Sequence, residues 1–157
     1  MTYKPTPMYV CTDAIVYCED EEKLLLVRRG HEPFKGMWAL PGGYVEPDDD
    51  VLTTAYQELA DETGVRLLRT GPTRLEFFKE YSKPDRDPRG RVISLVYSSI
   101  VKRCPELRAG DDAAEAEWRS LKSIRSDGLA FDHWRMISDF LAHRHRVLTY
   151  AYQSRRR

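Results

Sequence analysis

Residues 43–65 constrain the fold and the chemistry of this chain more than any other stretch. Apolar residues recur there at the three- and four-residue spacing of a helix with one buried face, at Leu52, Ala55, Tyr56 and Leu59. An acid within residues 48–50 can cap the start of this helix, and Gly64 can close its end. The pattern predicts an amphipathic helix over residues 51–63.

Three acids lie on the polar side of this helix, Glu58, Asp61 and Glu62. At about 100° per residue, spacings of three and four place the three carboxylates on one face. Like charges this close repel, and residues 43–65 contain no Lys or Arg to neutralise them. A divalent cation that prefers oxygen ligands, Mg²⁺ or Mn²⁺, is the natural compensator. The alternative is a solvated acidic helix face that binds nothing.

The charge of the whole chain gives a different impression from the charge of this segment. The 157 residues carry 25 Lys and Arg against 25 Asp and Glu, so the formal net charge is zero. Neutrality argues against a general nucleic-acid or membrane-surface binder, because both depend on excess positive charge. Residues 43–65 hold seven of the acids and none of the bases, so the remainder has a surplus of seven positive charges. A basic surround suits a polyanionic, metal-complexed substrate.

The rest of the chain alternates strand and loop patterns before a final helix. Apolar, partly β-branched runs predict strands at residues 10–17, 23–28, 74–81, 91–101 and 116–121. From Asp132 onward, apolar residues return at helical spacing, at Trp134, Ile137, Phe140 and Leu141. Strands interleaved with two helices indicate one mixed α/β domain over residues 1–150, followed by a basic tail at 151–157.

The three cysteines and the N-terminus bear on the compartment. Cys11, Cys18 and Cys104 are an odd number without metal-ligand spacing, which favours neither a disulfide framework nor a zinc site. No signal-peptide pattern begins the sequence, and no apolar run is long enough to span a bilayer. We therefore expect a cytoplasmic protein with no membrane partner.

The segment from Gly43 to Val65 resembles the Nudix box, which runs Gly, any five residues, Glu, any seven, Arg-Glu-apolar-any-Glu-Glu-any-Gly-apolar. The matching positions here are Gly43, Glu58, Leu59, Glu62, Gly64 and Val65. The preceding Trp-Ala-Leu-Pro-Gly-Gly at residues 38–43 is similar to the family's usual lead-in. The resemblance covers most of the chain, and it implies an α/β (α+β) fold with a mixed β-sheet sandwiched between helices.

Three positions depart from the box. Asp49 and Asp61 stand where the family has Glu, which keeps the carboxylate but shortens its reach by roughly 1.5 Å. Gln57 replaces an Arg whose fixed charge steadies the neighbouring carboxylates, and an amide cannot supply that charge. These changes predict reduced metal affinity or turnover.

The resemblance implies an enzyme, a pyrophosphohydrolase that cleaves a diphosphate linked to another group with Mg²⁺ or Mn²⁺. Its metal site would comprise Gly43 and the carboxylates of Glu58, Asp61 and Glu62, and these three carboxylates would also be catalytic. The general base comes either from the box, as Glu58 or Glu62, or from a later loop, as Asp111 or Asp112. We count Asp112 among the catalytic candidates. Alternatively, the two loop aspartates form a turn or cap before residues 113–118.

Substrate contacts are expected from cations and aromatic rings. Arg28, Arg29 and Arg91 stand at predicted strand ends or loop edges, and Arg is suited to bidentate phosphate contacts. Each is also explained by an ordinary surface charge. Trp38 is a candidate for stacking on a purine, with a place in the core as its alternative. Asp111 is included among the substrate-binding candidates.

Three further segments, residues 85–94, 109–118 and 129–133, look like the branch of the family that includes ADP-ribose pyrophosphatases. The implied reaction converts ADP-ribose and water to AMP and ribose 5-phosphate. The resemblance also implies a homodimer, because many relatives are dimers, and a small-molecule substrate rather than a nucleic acid.

Two other functions stay open. The altered box, above all Gln57, is compatible with a non-catalytic sensor that binds ADP-ribose or a related NAD metabolite. The fold also suits a housecleaning pyrophosphatase for damaged or non-standard nucleotides.

Overall fold

A computed structural model describes residues 6–108 and 115–154. In these residues the chain forms seven strands, two α-helices and two short 3-10 turns at Leu121–Ser123 and Ser126–Gly128. The strands and helices, in chain order, are β1 (Tyr9–Cys18), β2 (Lys23–Arg28), β3 (Trp38–Ala39), β4 (Gly42–Tyr44), α1 (Val51–Thr63), β5 (Glu76–Tyr81), β6 (Val92–Val101), β7 (Glu115–Ser120) and α2 (His133–Ser154). Each predicted strand and both predicted helices are present.

One mixed sheet organises the molecule, with the strand order β3-β2-β1-β6-β5. The central pair, β1 and β6, is parallel from Tyr9–Val92 to Cys18–Val101, and the other pairs are antiparallel. In addition, β4 pairs with β1 and β7 pairs with β2. The parallel pair joins residues about eighty positions apart, which brings the middle of the chain beside its beginning.

The two helices cover opposite faces of the sheet. Because side chains alternate along a strand, β1 sends Ala14 and Val16 to one face and Ile15 and Tyr17 to the other. Helix α1 packs on the first face through Ala55 and Leu59, which are buried, and α2 packs on the second face. The prediction of a mixed sheet sandwiched between helices is confirmed.

Helix α1 begins and ends as its sequence predicts. The Asp50 carboxylate accepts a hydrogen bond from the Thr53 backbone N–H at 2.9 Å, satisfying one of the unpaired donors at the start. Gly64 takes the left-handed conformation, with φ of 74°, and its N–H donates to Ala60 O at 2.8 Å. Both ends are therefore fixed, and the register of the acids along the helix is fixed with them.

The buried face of helix α2 differs from the predicted one. Trp134 is 41% exposed, because the buried stripe of the helix consists of His133, Met136, Ile137 and Phe140. The helix continues to Ser154, past the expected boundary at residue 150, and the basic tail at 151–157 stays a prediction. In the described part of the chain, neither helix is long and apolar enough to cross a membrane.

The cysteine prediction was wrong in one respect. Cys18 and Cys104 form a disulfide, with their Cα atoms 5.3 Å apart, although 86 positions separate them in the sequence. The parallel β1–β6 register explains the contact, because Cys18 ends β1 opposite Val101 and Cys104 follows three residues later. Cys18 is fully buried, and Cys11 is a free thiol.

Candidate functional site

A cavity of about 460 Å³ opens beside the N-terminal half of β1. It is large enough for a small-molecule ligand. Its walls come from β1, β4, helix α1, the segment after β2, the loop between β5 and β6 and the start of α2. Two walls differ sharply in charge. We call them the acidic wall (Gly42, Gly43 and Glu62, with Glu58 packed against Gly43 behind the lining) and the arginine wall (Arg29, Tyr44, Arg89 and Phe131).

The acidic wall holds α1 against β4 through glycines. Gly42 donates its N–H to a Glu62 carboxylate oxygen at 3.0 Å, and a Cβ at Gly42 would lie 2.1 Å from Thr12 O. A Cβ at Gly43 would lie 2.6 Å from Glu58 Cδ. Any side chain at these positions would displace strand β1 or the carboxylates. The two glycines therefore permit the close approach that places both acids beside the β4 backbone.

Glu62 is held in an unfavourable electrostatic position. Burial, together with the negative charges of Glu58 and Asp13, raises the pKa of Glu62 to about 8, although the Gly42 hydrogen bond and the Arg29 charge act in the opposite direction. At neutral pH the carboxyl group therefore holds its proton unless a cation is nearby. A strongly perturbed carboxyl lining a cavity is typical of a functional site.

A buried polar network lies under the cavity. Ser94 donates its hydroxyl to an Asp13 carboxylate oxygen at 2.5 Å, and His133 Nε2 lies 3.4 Å from the other oxygen. His133 Nδ1 accepts the Leu40 backbone N–H at 2.9 Å, which leaves the ring proton on Nε2, facing Asp13. Burial lowers the pKa of His133, so the ring is neutral. The network fixes the chain just before the two glycines.

The arginine wall stacks guanidinium groups on aromatic rings. The Cζ atoms of Arg29 and Arg89 lie 4.8 and 5.2 Å from the centre of the Phe131 ring, and Arg89 lies 4.8 Å from that of Tyr44. Arg89 is also paired with the buried Asp87, at 2.7 Å, and this hydrogen bonding raises the pKa of Arg89. Burial and the charge of Arg89 lower the pKa of Arg29. Within the described residues, no carboxylate oxygen lies within 4.0 Å of an Arg29 nitrogen.

Arg86 lines the same cavity and forms a buried ion pair with Asp132. Its side chain is only 3% exposed, and it makes two hydrogen bonds to Asp132, at 2.7 and 3.1 Å. Its remaining nitrogen lies 3.9 Å from the Cys11 sulfur. Burial raises the pKa of Cys11 to about 12, so this residue is an unreactive thiol in the cavity. The Arg86–Asp132 pair ties the β5–β6 loop to the start of α2, which carries Phe131 and His133.

The acidic wall fits a hard divalent cation. Mg²⁺ usually takes one or two protein carboxylates and keeps several waters, and Glu58 and Glu62 supply such a pair beside the backbone of Gly42 and Gly43. A cation there would also stabilise the charged form of Glu62. In the described residues, the acids do not gather three ligand atoms within 4.8 Å of one another, and the group that does is Cys18, Glu21 and Cys104.

Asp61 and Gln57 lie elsewhere on α1. Both are exposed, and they line a separate shallow groove together with Arg66 and Arg69. The structure therefore brings Glu62 to the cavity, packs Glu58 against Gly43 beside it, and leaves Asp61 outside the cavity. The metal-binding and catalytic role of Asp61 stays a prediction.

The substrate-binding candidates divide in the same way. Arg28 and Arg29 line the cavity, and Arg28 lies 3.5 Å from Glu115 at the rim. Arg91 does not line it and donates to Ser82 O. Trp38 packs against the core with the Arg119 guanidinium 4.6 Å from its ring centre, outside the cavity. Asp111 and Asp112 lie outside the described residues.

Sequence reasoning missed part of the site. The cavity residues that were not singled out include Asp13, Arg86, Arg89, Phe131 and His133. Four of these five lie in segments, 85–94 and 129–133, whose resemblance to ADP-ribose pyrophosphatases is apparent in the sequence. That signal located the segments, but it did not distinguish Arg89, which lines the cavity, from Arg91, which does not.

Known proteins show both the fold and the family. The NUDIX domain model matches residues 9–140. An ADP-ribose pyrophosphatase of Methanocaldococcus jannaschii is 43% identical over 132 residues, which cover 84% of this chain and 72% of that protein. An ADPR responsive transcriptional repressor, NtrR, of Acinetobacter baylyi is 28% identical, with 88% of this chain and 54% of the repressor covered.

Solved structures agree with these matches. The NUDIX domain of Shewanella oneidensis NrtR, complexed with ADP ribose, is 27% identical with a TM-score of 0.78, and 92% of this chain and 94% of that chain are covered. A Francisella tularensis bifunctional NMN adenylyltransferase/ADP ribose pyrophosphatase, complexed with AMP and a manganese ion, is 32% identical with a TM-score of 0.77. This match covers 87% of the present chain and 42% of the bifunctional protein. The family model, the archaeal relative and the fold all lead to one conclusion: the chain belongs to the Nudix family.

Proposed function

We propose that this protein is a metal-dependent Nudix pyrophosphohydrolase that converts ADP-ribose and water to AMP and ribose 5-phosphate. The observation that carries the proposal is one cavity that has the Glu62 carboxylate, with Glu58 packed against Gly43 beside it, on one side and an arginine-aromatic wall on the other. A diphosphate ester needs both sides. Its negative oxygens bind a cation that carboxylates hold, and the flat ring of its nucleoside stacks on aromatic rings and guanidinium groups. The 43% identical ADP-ribose pyrophosphatase supports the choice of substrate.

Glu58 and Glu62 would hold the metal beside the backbone of Gly42 and Gly43, with Mg²⁺ or Mn²⁺ as the proposed ion. When bound, such an ion neutralises phosphate oxygens and lowers the pKa of water. The chain's own contribution is to place two carboxylates at a fixed distance from β4 and to keep Glu62 partly dehydrated. The manganese ion in the Francisella neighbour is consistent with this choice.

Arg29 is the side chain best placed to bind the substrate diphosphate. Its guanidinium lies in the cavity without a carboxylate partner among the described residues, and stacking on Phe131 restrains it. Arg89 is already neutralised by Asp87, so its contribution is to present a flat surface beside Tyr44. Guanidinium planes and aromatic rings are surfaces on which a purine stacks.

In the reaction, a water oxygen forms a bond to one phosphorus atom while the bridging P–O bond breaks, and the leaving phosphate takes the electron pair. The water's proton must pass to a base. Glu58 and Glu62 are the candidates within the described residues, and Asp111 or Asp112 are the candidates from the later loop. Arg29 would hold the phosphate oxygens equally in the substrate and in the transition state, so its contribution is to substrate binding.

A substrate panel tests the proposal. The purified protein is incubated with ADP-ribose, nucleoside triphosphates or dinucleotides in the presence of Mg²⁺ or Mn²⁺, and products are separated by ion-exchange chromatography. We expect equal amounts of AMP and ribose 5-phosphate from ADP-ribose, at a higher kcat/KM than for any other compound. Preferred cleavage of a triphosphate would favour a housecleaning enzyme, and no turnover of any compound would reject hydrolysis.

The second candidate function is an ADP-ribose sensor without turnover. Two observations favour it: Gln57 in place of the family's Arg, and the likeness to the NUDIX domain of Shewanella NrtR over nearly the full length of both chains. Calorimetry distinguishes the two functions, because a sensor binds ADP-ribose tightly with Mg²⁺ present and releases no AMP.

The cytoplasmic location and the homodimer remain predictions from the sequence. Light scattering of the purified protein, at several concentrations, tests the dimer against a monomer of 18.3 kDa. Fractionation of cells that produce the full chain tests the location.

A further inference from the structure

A second group of potential metal ligands lies at the far end of β1. The Cys18 and Cys104 sulfurs and a Glu21 carboxylate oxygen all lie within 4.8 Å of one another, the one such group among the described residues. Cys18 is fully buried, Cys104 is half-buried, and Glu21 is exposed. Two thiolates and a carboxylate form a ligand set typical of zinc and related soft divalent ions, and unlike the oxygen ligands of the acidic wall.

The backbone holds these three residues together independently of the disulfide. Glu19 N–H donates to Val101 O at 2.8 Å, and Asp20 N–H donates to Lys102 O at 3.0 Å, so the turn after β1 is joined to the end of β6. In the disulfide-bonded structure the Cys18 and Cys104 Cα atoms lie 5.3 Å apart, where the parallel β1–β6 ladder ends. The ladder and the two turn hydrogen bonds do not depend on the disulfide, so they would hold both cysteines near each other after reduction.

We propose that the reduced Cys18–Cys104 pair, together with Glu21, binds one zinc-like divalent ion, with the remaining position left to water. In the present structure the sulfurs are bonded to each other, so the metal-bound form requires a thiol or phosphine reductant that converts the disulfide to two thiols. Binding then replaces the two thiol protons, which are released to solvent. Glu21 exchanges its ion pair with Lys23 for the metal.

This site is separate from the acidic wall. Asp13, on the cavity side of β1, is five residues from Cys18, which corresponds to about 17 Å along an extended strand. The turn contributes further negative charge through Glu19, Asp20 and Glu22, and Glu19 is paired with Arg144. The two sites therefore differ in position and in ligand chemistry, and a metal probe can distinguish them.

Cobalt(II) is the probe, because thiolate ligands give it a sulfur-to-metal charge-transfer absorption that carboxylates do not give. The full-length protein is reduced with a phosphine, the phosphine is removed without oxygen, and Co²⁺ is titrated while the near-ultraviolet absorption is recorded. We expect the band to saturate at one equivalent and to disappear when one equivalent of Zn²⁺ is added. Oxidised protein should give no band.

Variants assign the ligands. Cys104→Ser should abolish the band, and Glu21→Gln should weaken Co²⁺ binding by about tenfold or more. Cys11→Ser, which removes the cysteine at the cavity, should keep the band. The circular dichroism of each variant is compared with that of the wild type to confirm folding, and a rise in Tm of the reduced wild type with Zn²⁺ gives a second measure of binding. Absence of the band in the reduced wild type, or its persistence in folded Cys104→Ser, would overturn the proposal.

Discussion

The acidic wall and the arginine wall face one cavity but are built in opposite ways. The acidic wall comes from one helix and one short strand, in which two glycines bring like-charged carboxylates together. The arginine wall joins Tyr44 of β4 to loop residues far apart in the chain, and in it Arg89 is already paired with Asp87 and stacked on rings. In one wall burial opposes the charge of Glu62, whereas in the other the charge of Arg89 is neutralised within the protein and that of Arg29 is left for a ligand.

This difference in charge and burial indicates which wall serves catalysis and which serves substrate binding. A cation gives the largest electrostatic stabilisation to a buried carboxylate that would otherwise hold its proton at neutral pH, as Glu62 does. The wall that contains Glu62 is therefore the one suited to metal-assisted chemistry. A stacked arginine gains little further charge stabilisation but presents a rigid surface to a ligand. We therefore assign turnover to the acidic wall and substrate binding to the arginine wall. Substitutions in the two walls should affect different kinetic constants.

The largest effect is expected from Glu62→Gln. Loss of this carboxylate should lower kcat for ADP-ribose by at least about 100-fold, because a group that stabilises charge in the transition state is removed. Asp61→Asn is the matched change on the same helix, and it should cost much less, because Asp61 is exposed outside the cavity. Steady-state kinetics with Mg²⁺ measure both. Equal losses in the two variants would place Asp61 in the metal site, as the resemblance implied.

Gly43→Ala tests the close approach of α1 to β4. The added Cβ would lie 2.6 Å from Glu58 Cδ, so the carboxylate must move, and we expect kcat/KM to fall by about 10- to 100-fold. Gly128→Ala is the control, because no atom lies within 4 Å of a Cβ there. If both variants keep wild-type kcat/KM, the glycine contact has no bearing on activity.

Arg29→Ala tests the arginine wall. The variant should raise KM for ADP-ribose by about tenfold with a smaller change in kcat, because a hydrogen bond to a charged group contributes about 1.5–3 kcal/mol. Arg91→Ala should leave both constants near their wild-type values, since Arg91 lies outside the cavity. A fall in kcat with unchanged KM for Arg29→Ala would break the division between the walls.

The pH dependence of stability should show the strain in the acidic wall. The pKa of Glu62 is raised from 4.5 to about 8, so the folded protein holds this proton more tightly than the unfolded chain does. The resulting contribution to the free energy of unfolding is fully present below about pH 4.5 and is lost as pH rises through about 8. Glu62→Gln cannot ionise, so its Tm in metal-free buffer should rise relative to the wild type by a few degrees between about pH 5 and about pH 9. Parallel Tm curves for the two proteins would show that Glu62 titrates normally.

The smallest effect is expected from Gln57→Arg. Arg66 and Arg69 already line the groove that contains Gln57 and Asp61, so a third positive charge should change kcat by less than about threefold. A large increase would instead show that Gln57 limits turnover, which is the behaviour expected of a sensor that has lost its activity.

The sequence predicted helix α1, which carries Glu58 and Glu62, because the determinants of the helix are local. The spacing of Leu52, Ala55 and Leu59, with caps at Asp50 and Gly64, defines α1 to the residue, and the box places the acids on it. The side chain of Asp61 was harder to place, because three acids share the polar side of a helix and only the packing against β4 decides which of them face the cavity.

The arginine wall and the disulfide could not be predicted in this way. Arg29, Arg89 and Phe131 are far apart in the chain, and the parallel pairing of β1 with β6 brings their segments together. The same register brings Cys18 to Cys104. Arg29 and Arg91 both stand at predicted strand ends, so this criterion chose both of them. Local sequence does not show which edge of the sheet borders the cavity.

The most direct test is calorimetric titration of ADP-ribose into Glu62→Gln and into the wild type, in metal-free buffer at neutral pH. The amide has the size of the protonated carboxyl that burial maintains, so the account predicts Kd values within about threefold of each other, while only the wild type releases AMP once Mg²⁺ is added. Loss of ADP-ribose binding in a folded Glu62→Gln variant, or undiminished AMP release from it, would contradict the assignment of turnover to the acidic wall.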